Sequence, residues 1–133
     1  MSRGLRNNNP GNIRRSKVRY RGEVQPSQDP EFRQFSAPEW GYRAIFVLLD
    51  TYRVRYGLRT VTQMISRWAP PTENRTQAYI DAVCRMTGLA PDEPLDTRDR
   101  ATMVPLAAAI SRAENGTAAV MRDVERGWAL FSD

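Results

Sequence analysis

Residues 36–57 read SAPEWGYRAIFVLLDTYRVRYG, and they predict the helix on which the rest of the chain packs. Ser36 and Glu39 have the spacing of a capping box, in which the serine oxygen accepts from a backbone N–H and the glutamate reaches back to the Ser36 N–H. Pro38 suits a first helical turn, where its missing N–H costs nothing. Tyr42, Ile45, Leu48, Leu49, Tyr52 and Tyr56 then recur at helical spacing, and Gly57 is a natural stop.

The downstream segments repeat this grammar. Residues 60–63, Thr-Val-Thr-Gln, form a second capping box that opens a short helix carrying Val61, Met64, Ile65 and Trp68, ended by Pro70-Pro71. A third helix begins at 72–74, turns Tyr79, Ile80, Val83 and Met86 inward and stops at Gly88. A proline-containing connection follows over 89–96. Asp96 or Thr97 caps a fourth helix through Ala113, with Met103, Leu106, Ala107 and Ile110 on its stripe. Pro105 inside it bends it or marks a late start. Asn115-Gly116 ends it. A last helix spans about 117–126, and an apolar tail of Trp128, Leu130 and Phe131 after Gly127 docks on the core.

The upstream third is different. Residues 3–14, RGLRNNNPGNIR, hold three consecutive asparagines and then Pro-Gly-Asn. Pro10 lacks an N–H, Gly11 tolerates positive φ, and asparagine side chains bond their own backbone, so this is a compact hydrogen-bonded loop suited to an uncharged polar ligand such as a sugar. Short extended pieces at Val18, Tyr20 and 23–25 lie around Arg21-Gly22. With a turn at Pro26, Asp29 and Pro30 and the returning Phe32 and Phe35, they predict a small irregular β-hairpin or lobe. The expected fold is therefore mainly α (α+β), with residues 1–133 as one domain.

Composition narrows the chemistry. The chain has 133 residues, 41% of them hydrophobic, with no histidine and one cysteine, Cys84. An intramolecular disulfide is excluded, and neither a zinc site of the usual kind nor any cofactor is expected. A serine or cysteine nucleophile activated by histidine is excluded, so catalysis would fall to carboxylates, Tyr, Lys or Arg. The formal net charge is +5, and Lys17 is the only lysine among twenty basic residues. A basic surface attracts nucleic acid, anionic lipid and anionic wall polymers alike. Nucleic acid is disfavoured because the arginines are spread along every segment, without a basic helix or aromatic–basic alternation. No apolar run reaches membrane-spanning length, and the N-terminus lacks the apolar core of a secretory signal. The protein is thus expected to be made in a cytoplasm and carried outward by something else if it acts outside.

Among fifteen acidic residues, Glu114 stands apart. Positions 103, 107, 110 and 114 are spaced four, three and four apart, so Glu114 projects from the apolar stripe of its helix. Burial and the negative end of the helix dipole both disfavour a carboxylate there. A carboxylic acid kept protonated is what glycoside cleavage requires of its general acid.

Several stretches resemble lysozyme-type muramidases, lytic transglycosylases and flagellar-type glucosaminidases. Ala113-Glu114-Asn115-Gly116 is similar to the helix end that carries their catalytic Glu. Asn8-Asn9-Pro10-Gly11-Asn12-Ile13-Arg14, then Arg21-Gly22-Glu23, then Phe35-Ser36 with Pro38-Glu39 resemble the glucosaminidase succession. Asn74, Thr76, Tyr79, Ile80 and Val83 resemble the transglycosylase segment whose Tyr lines the sugar cleft. Most of the chain also resembles small phage and prophage proteins that begin Arg-Gly-x-Arg-Asn-Asn-Asn-Pro-Gly-Asn-Ile and carry a Trp-Ala-Pro-Pro-x-Glu-Asn stretch like 68–74. These are described as virion structural proteins.

The resemblance implies a lysozyme-like helical domain that cleaves β-1,4 links of peptidoglycan glycan strands in the cell wall or periplasm, riding with other virion proteins. Glu114 is then the acid. Asn7, Asn8, Asn9 and Asn12 bond sugar groups, and Tyr79, with Tyr20 or Trp68, packs on sugar faces. Glu23, Asp29 or Glu39 is the second carboxylate if one is used. Otherwise the substrate's own hydroxyl completes a lytic transglycosylase route. In the glycosidases the Glu precedes the asparagine loop, whereas nothing before Asn7 here is acidic. Either the fold is circularly permuted, with Glu114 reaching the loop from the C-terminal side, or the acid is lost and the protein is a non-catalytic virion or wall-binding module.

Overall fold

The computed structural model describes residues 1–72 and 74–133. Among them are six helices: α1 (Arg3–Arg6), α2 (Pro38–Tyr56), α3 (Val61–Trp68), α4 (Thr76–Thr87), α5 (Arg100–Asn115) and α6 (Met121–Ser132). Pairing of extended chain is limited to two isolated antiparallel bridges among the described residues, Arg14 with Phe32 and Glu23 with Phe35. The molecule is mainly α, and the expected hairpin is an irregular lobe with almost no strand.

α2 is the central packing element. Its end is as the sequence predicts, with Gly57 left-handed at φ 67° and its N–H bonding the Arg53 carbonyl. Its start is not. Ala37 occupies the cap position, no side chain caps the helix, and the Ser36–Glu39 box does not form. The Ser36 N–H is already taken by the Gly22 carbonyl at 2.9 Å, a tertiary bond that replaces the local one. The predicted stripe is also too narrow. Ala44, Ile45 and Phe46 are consecutive and all fully buried, so α2 is wrapped on several sides, while Tyr56 is exposed.

α6 lies against α2 and is longer than the sequence suggests. It begins at Met121 and continues through Gly127 to Ser132, so Trp128 and Phe131 are part of the helix and not a tail. Gly127 is tolerated because it is the contact point. A Cβ there would stand 2.5 Å from the Tyr42 Cβ and 2.9 Å from the Arg43 backbone N. The close approach lets Trp128 meet Phe46 edge-on at 5.0 Å and Phe131 at 5.3 Å. Each such buried aromatic contributes about 1.5–3 kcal/mol.

The remaining helices differ mainly at their starts. α3 keeps its cap, with Thr60 Oγ1 accepting from the Gln63 N–H at 3.1 Å, and Gln63 reaches back to the Arg59 N–H at 2.8 Å. α4 begins at Thr76 and not at 72–74; Glu73 of that expected start lies outside the described residues. Met86, expected inward, is exposed, whereas Ile80 and Val83 are buried. α5 begins at Arg100, because Asp96 and Thr97 have other partners: Asp96 accepts from the Arg98 N–H, and buried Thr97 donates to Asp50 at 2.7 Å. Pro105 sits within α5 on its exposed side. Gly116 closes it at φ 73°.

Candidate active site

The asparagine loop follows α1, so residues 3–6 of the expected loop are helical. It is held by its own side chains together with backbone bonds such as Asn9 N–H to the Gly4 carbonyl at 2.8 Å and Phe35 N–H to the Asn7 carbonyl at 2.8 Å. Asn7 donates to Asp29 at 3.0 Å, and Asn8 to the Phe35 carbonyl at 3.1 Å. Asn9 is fully buried; it donates to the Ile13 and Arg33 carbonyls and accepts from the Ile13 N–H. Asn8 and Asn12 take left-handed φ of 51° and 49°, which asparagine tolerates better than most residues. The loop presses on α2 at Gly41, where a Cβ would stand 2.0 Å from the Asn8 carbonyl. It presses on Trp68 at Gly11, whose carbonyl accepts from the indole N–H at 3.2 Å.

The end of α5 meets this loop. Glu114 Oε1 accepts from Asn12 Nδ2 at 2.9 Å, and Oε2 accepts from the Tyr79 hydroxyl of α4 at 2.9 Å. Asn115 completes the junction. Its amide donates to the Pro10 and Ser111 carbonyls, both at 2.8 Å, and its oxygen accepts from Ser2 Oγ at 2.7 Å. Gly4 lets these groups converge, since a Cβ there would stand 2.6 Å from Asn115 Oδ1 and 2.7 Å from Asn12 Oδ1. Glu114 thus stands beside the loop, held by donors from two other parts of the chain.

Glu114 and Asn12 open into a cleft of about 390 Å³. One side is the loop and lobe, with residues 11–16, Tyr20, Phe32 and Arg33; the other is Leu48 and Tyr52 of α2, with Arg67, Trp68, Pro70 and Asn74. Aromatic faces and polar groups therefore share one solvent-open groove, with one carboxylate among its described lining residues.

The expected site residues divide clearly. Glu114, Asn12, Tyr20 and Trp68 line the cleft together. Asn7, Asn8 and Asn9 do not, because their amides hold the loop and lobe in shape. Tyr79 does not face the cleft either; its hydroxyl holds Glu114. Burial, and then the adjacent carboxylate, keep that hydroxyl protonated well above the ordinary phenol range, so it remains a donor. Glu23 is an internal ion-pair partner: with Arg33, both side chains nearly inaccessible, it also accepts from the Tyr20 N–H. Asp29 is held by Arg3 at 2.7 Å, by Asn7 and by the N–H groups of Glu31 and Phe32, which pull it well below the usual carboxylate range. Glu39 lies in the first turn of α2, away from the cleft lining. None of these three carboxylates joins Glu114 in the groove.

Asn115, Arg15 and Arg67 escape sequence reasoning. Asn115 reads as a helix stop, and only its tertiary partners reveal that it ties α5 to the loop. No group of three or more His, Cys, Asp and Glu among the described residues is arranged to hold a metal ion. No helix among them is long and apolar enough to cross a membrane.

No protein-family profile matches the chain. It is, however, 39% identical over 119 residues to "Protein P5" of Pseudoalteromonas phage PM2, a match spanning 87% of this chain and 72% of that protein. An identity this high over most of both sequences means that the chain belongs to the same family as this phage protein.

Proposed function

We propose that the protein cleaves the β-1,4 glycan links of peptidoglycan, with Glu114 as the proton donor. The observation that carries this reading is the 2.9 Å hydrogen bond between Glu114 and Asn12 at the wall of an open, aromatic-lined cleft. In this reading the Glu114 proton passes to the leaving glycosidic oxygen as the C1–O bond breaks. The resulting carboxylate then takes a proton from the incoming nucleophile. That nucleophile is water in a hydrolase, or the sugar's own C6 hydroxyl in a lytic transglycosylase, which leaves a 1,6-anhydro end. Tyr79 and Asn12 orient the carboxyl, and Tyr20 and Trp68 supply faces for the sugar rings.

Delivery with a phage particle to the cell wall fits membership in a phage protein family and a chain whose described helices do not span a membrane. The lysozyme-like fold would then be a circular permutation, with the acid arriving after the loop in sequence. A zymogram on peptidoglycan tests the assignment. Clearing by the wild type and its loss in Glu114→Gln, by about 10²–10⁴-fold in rate, is expected. Clearing that persists in Glu114→Gln removes Glu114 from the mechanism.

A second reading has its own support. Both Glu114 oxygens already have donors, which is also how a carboxylate would join α4, α5 and the loop in a non-catalytic virion or wall-binding protein. No clearing by the wild type, with a marked loss of melting temperature in Glu114→Gln, would favour it.

A further inference from the structure

The cleft beside Glu114 is more basic than cleavage of a neutral glycan requires. Four arginines line it, and two are neutralised: Arg33 by Glu23, and Arg14 by Glu31 at 3.4 Å. Arg15 and Arg67 are not. Arg15 donates to the backbone carbonyls of Asp29 and Pro30, at 3.2 and 3.4 Å. Arg67 lies over the rings of Tyr56, at 3.9 Å, and Tyr52, at 5.4 Å. These contacts fix each guanidinium without cancelling its charge, and neither has a carboxylate partner among the described residues. Both residues are exposed, and they enter the groove from different elements, Arg15 from the lobe and Arg67 from α3.

We propose that Arg15 and Arg67 are a carboxylate-reading pair, so that the cleft selects glycan strands whose sugars bear acidic peptide substituents over neutral N-acetylglucosamine polymers. The inference rests on the glycan-cleft reading and adds the feature by which the strand is chosen. A guanidinium offers planar donors matched to a carboxylate, and an ordered one loses little freedom on binding. A phosphodiester strand fits less well, because it carries a charge on every backbone unit, whereas the described cleft lining offers two arginines without a carboxylate partner. Carboxylates on side branches can reach the two arginines while the uncharged sugar backbone passes Glu114.

The test is equilibrium titration of the full chain carrying Glu114→Gln, so that bound strands are not cut, with three probes. These are soluble peptide-bearing glycan fragments from bacterial sacculi, the same fragments with their carboxylates amidated, and an N-acetylglucosamine hexamer. The free-carboxylate fragments should bind most tightly, with affinity falling as salt rises. Arg15→Gln and Arg67→Gln should each lose about two- to fivefold for those fragments, and the double variant about tenfold, with no change for the hexamer. Equal binding of native and amidated fragments would overturn the proposal, as would an arginine loss that weakens hexamer binding equally. A single-stranded oligonucleotide that binds more tightly than the fragments at physiological salt would overturn it in favour of a phosphate ligand. Since binding is read without turnover, charge-selective binding with no bond cleaved by the wild type would keep the pair and reject the glycosidase. Cleavage indifferent to amidation would do the reverse.

Discussion

Glu114 carries the chemistry proposed here, and its neighbours explain how it is held. Tyr79→Phe removes one donor and no shape. It should slow glycan cleavage about tenfold while costing roughly 1 kcal/mol of stability. The hydroxyl matters for stability at alkaline pH as well. An unfolded tyrosine titrates near 10, and Tyr79 in the fold titrates well above that. Its contribution is therefore complete below about pH 10 and is lost as pH rises further. Tyr52, pushed up to about 12 chiefly by burial, acts in the same direction. Thermal melts should lose no tyrosine contribution between pH 8 and 10, should fall above pH 10 for the wild type, and should fall less steeply there for Tyr79→Phe. The position of Glu114 against the loop is legible in the sequence to the extent that a charged residue on an apolar stripe breaks a local pattern. From sequence Tyr79 resembles a ring lining a sugar cleft; its bond to Glu114 is not legible there, because the partner lies 35 residues away and helical periodicity says nothing about what a hydroxyl meets. Asn115 was missed for the same reason, with Pro10 105 residues distant.

The junctions between elements make the site possible, and most of them depend on a missing Cβ. At Gly127 the α2–α6 contact leaves no room for a methyl group. Gly127→Ala should lower stability by about 1–3 kcal/mol through overpacking, despite alanine's better helix propensity, as read from denaturant melts. It should leave the cleft chemistry largely intact in the remaining folded protein. Gly4→Ala should act on both. Its Cβ would displace the Asn12 and Asn115 side chains that hold the α5 end and would stand 2.9 Å from the Asn9 carbonyl, so cleavage should fall along with melting temperature, unlike in Gly127→Ala. Helix ends closed by glycine were readable in sequence at Gly57, Gly88 and Gly116, where the left-handed residue is the signal. Helix starts were not. Ser36, Asp96 and Thr97 look like caps, but the Ser36 backbone N–H bonds the Gly22 carbonyl, Asp96 accepts from the Arg98 N–H in a local turn and Thr97 donates to Asp50, and only packing decides between such uses.

Taken together, the chain reads as a helical scaffold with a polar N-terminal lobe laid across it. The α2-centred core follows from hydrophobic spacing, which is why the mainly α class was accessible from sequence. The lobe follows from a network of side-chain bonds with little periodic pattern, and so its details were not. Asp29 is the keystone of that network, joining Arg3, Asn7 and two backbone N–H groups. With its titration pulled well below the ordinary carboxylate range, it contributes stability above about pH 4 that is lost as pH falls further. Asp29→Asn should flatten this acid-side loss in melts between pH 2 and 5. The decisive measurement for the site itself is mass-spectrometric analysis of the products released from purified peptidoglycan by the wild type and by Glu114→Gln. Release of glycan fragments with newly formed reducing or 1,6-anhydro ends by the wild type, reduced at least a hundredfold in a folded Glu114→Gln variant, is the expected result. Equal release by both proteins, or no new glycan ends from the wild type, would contradict it.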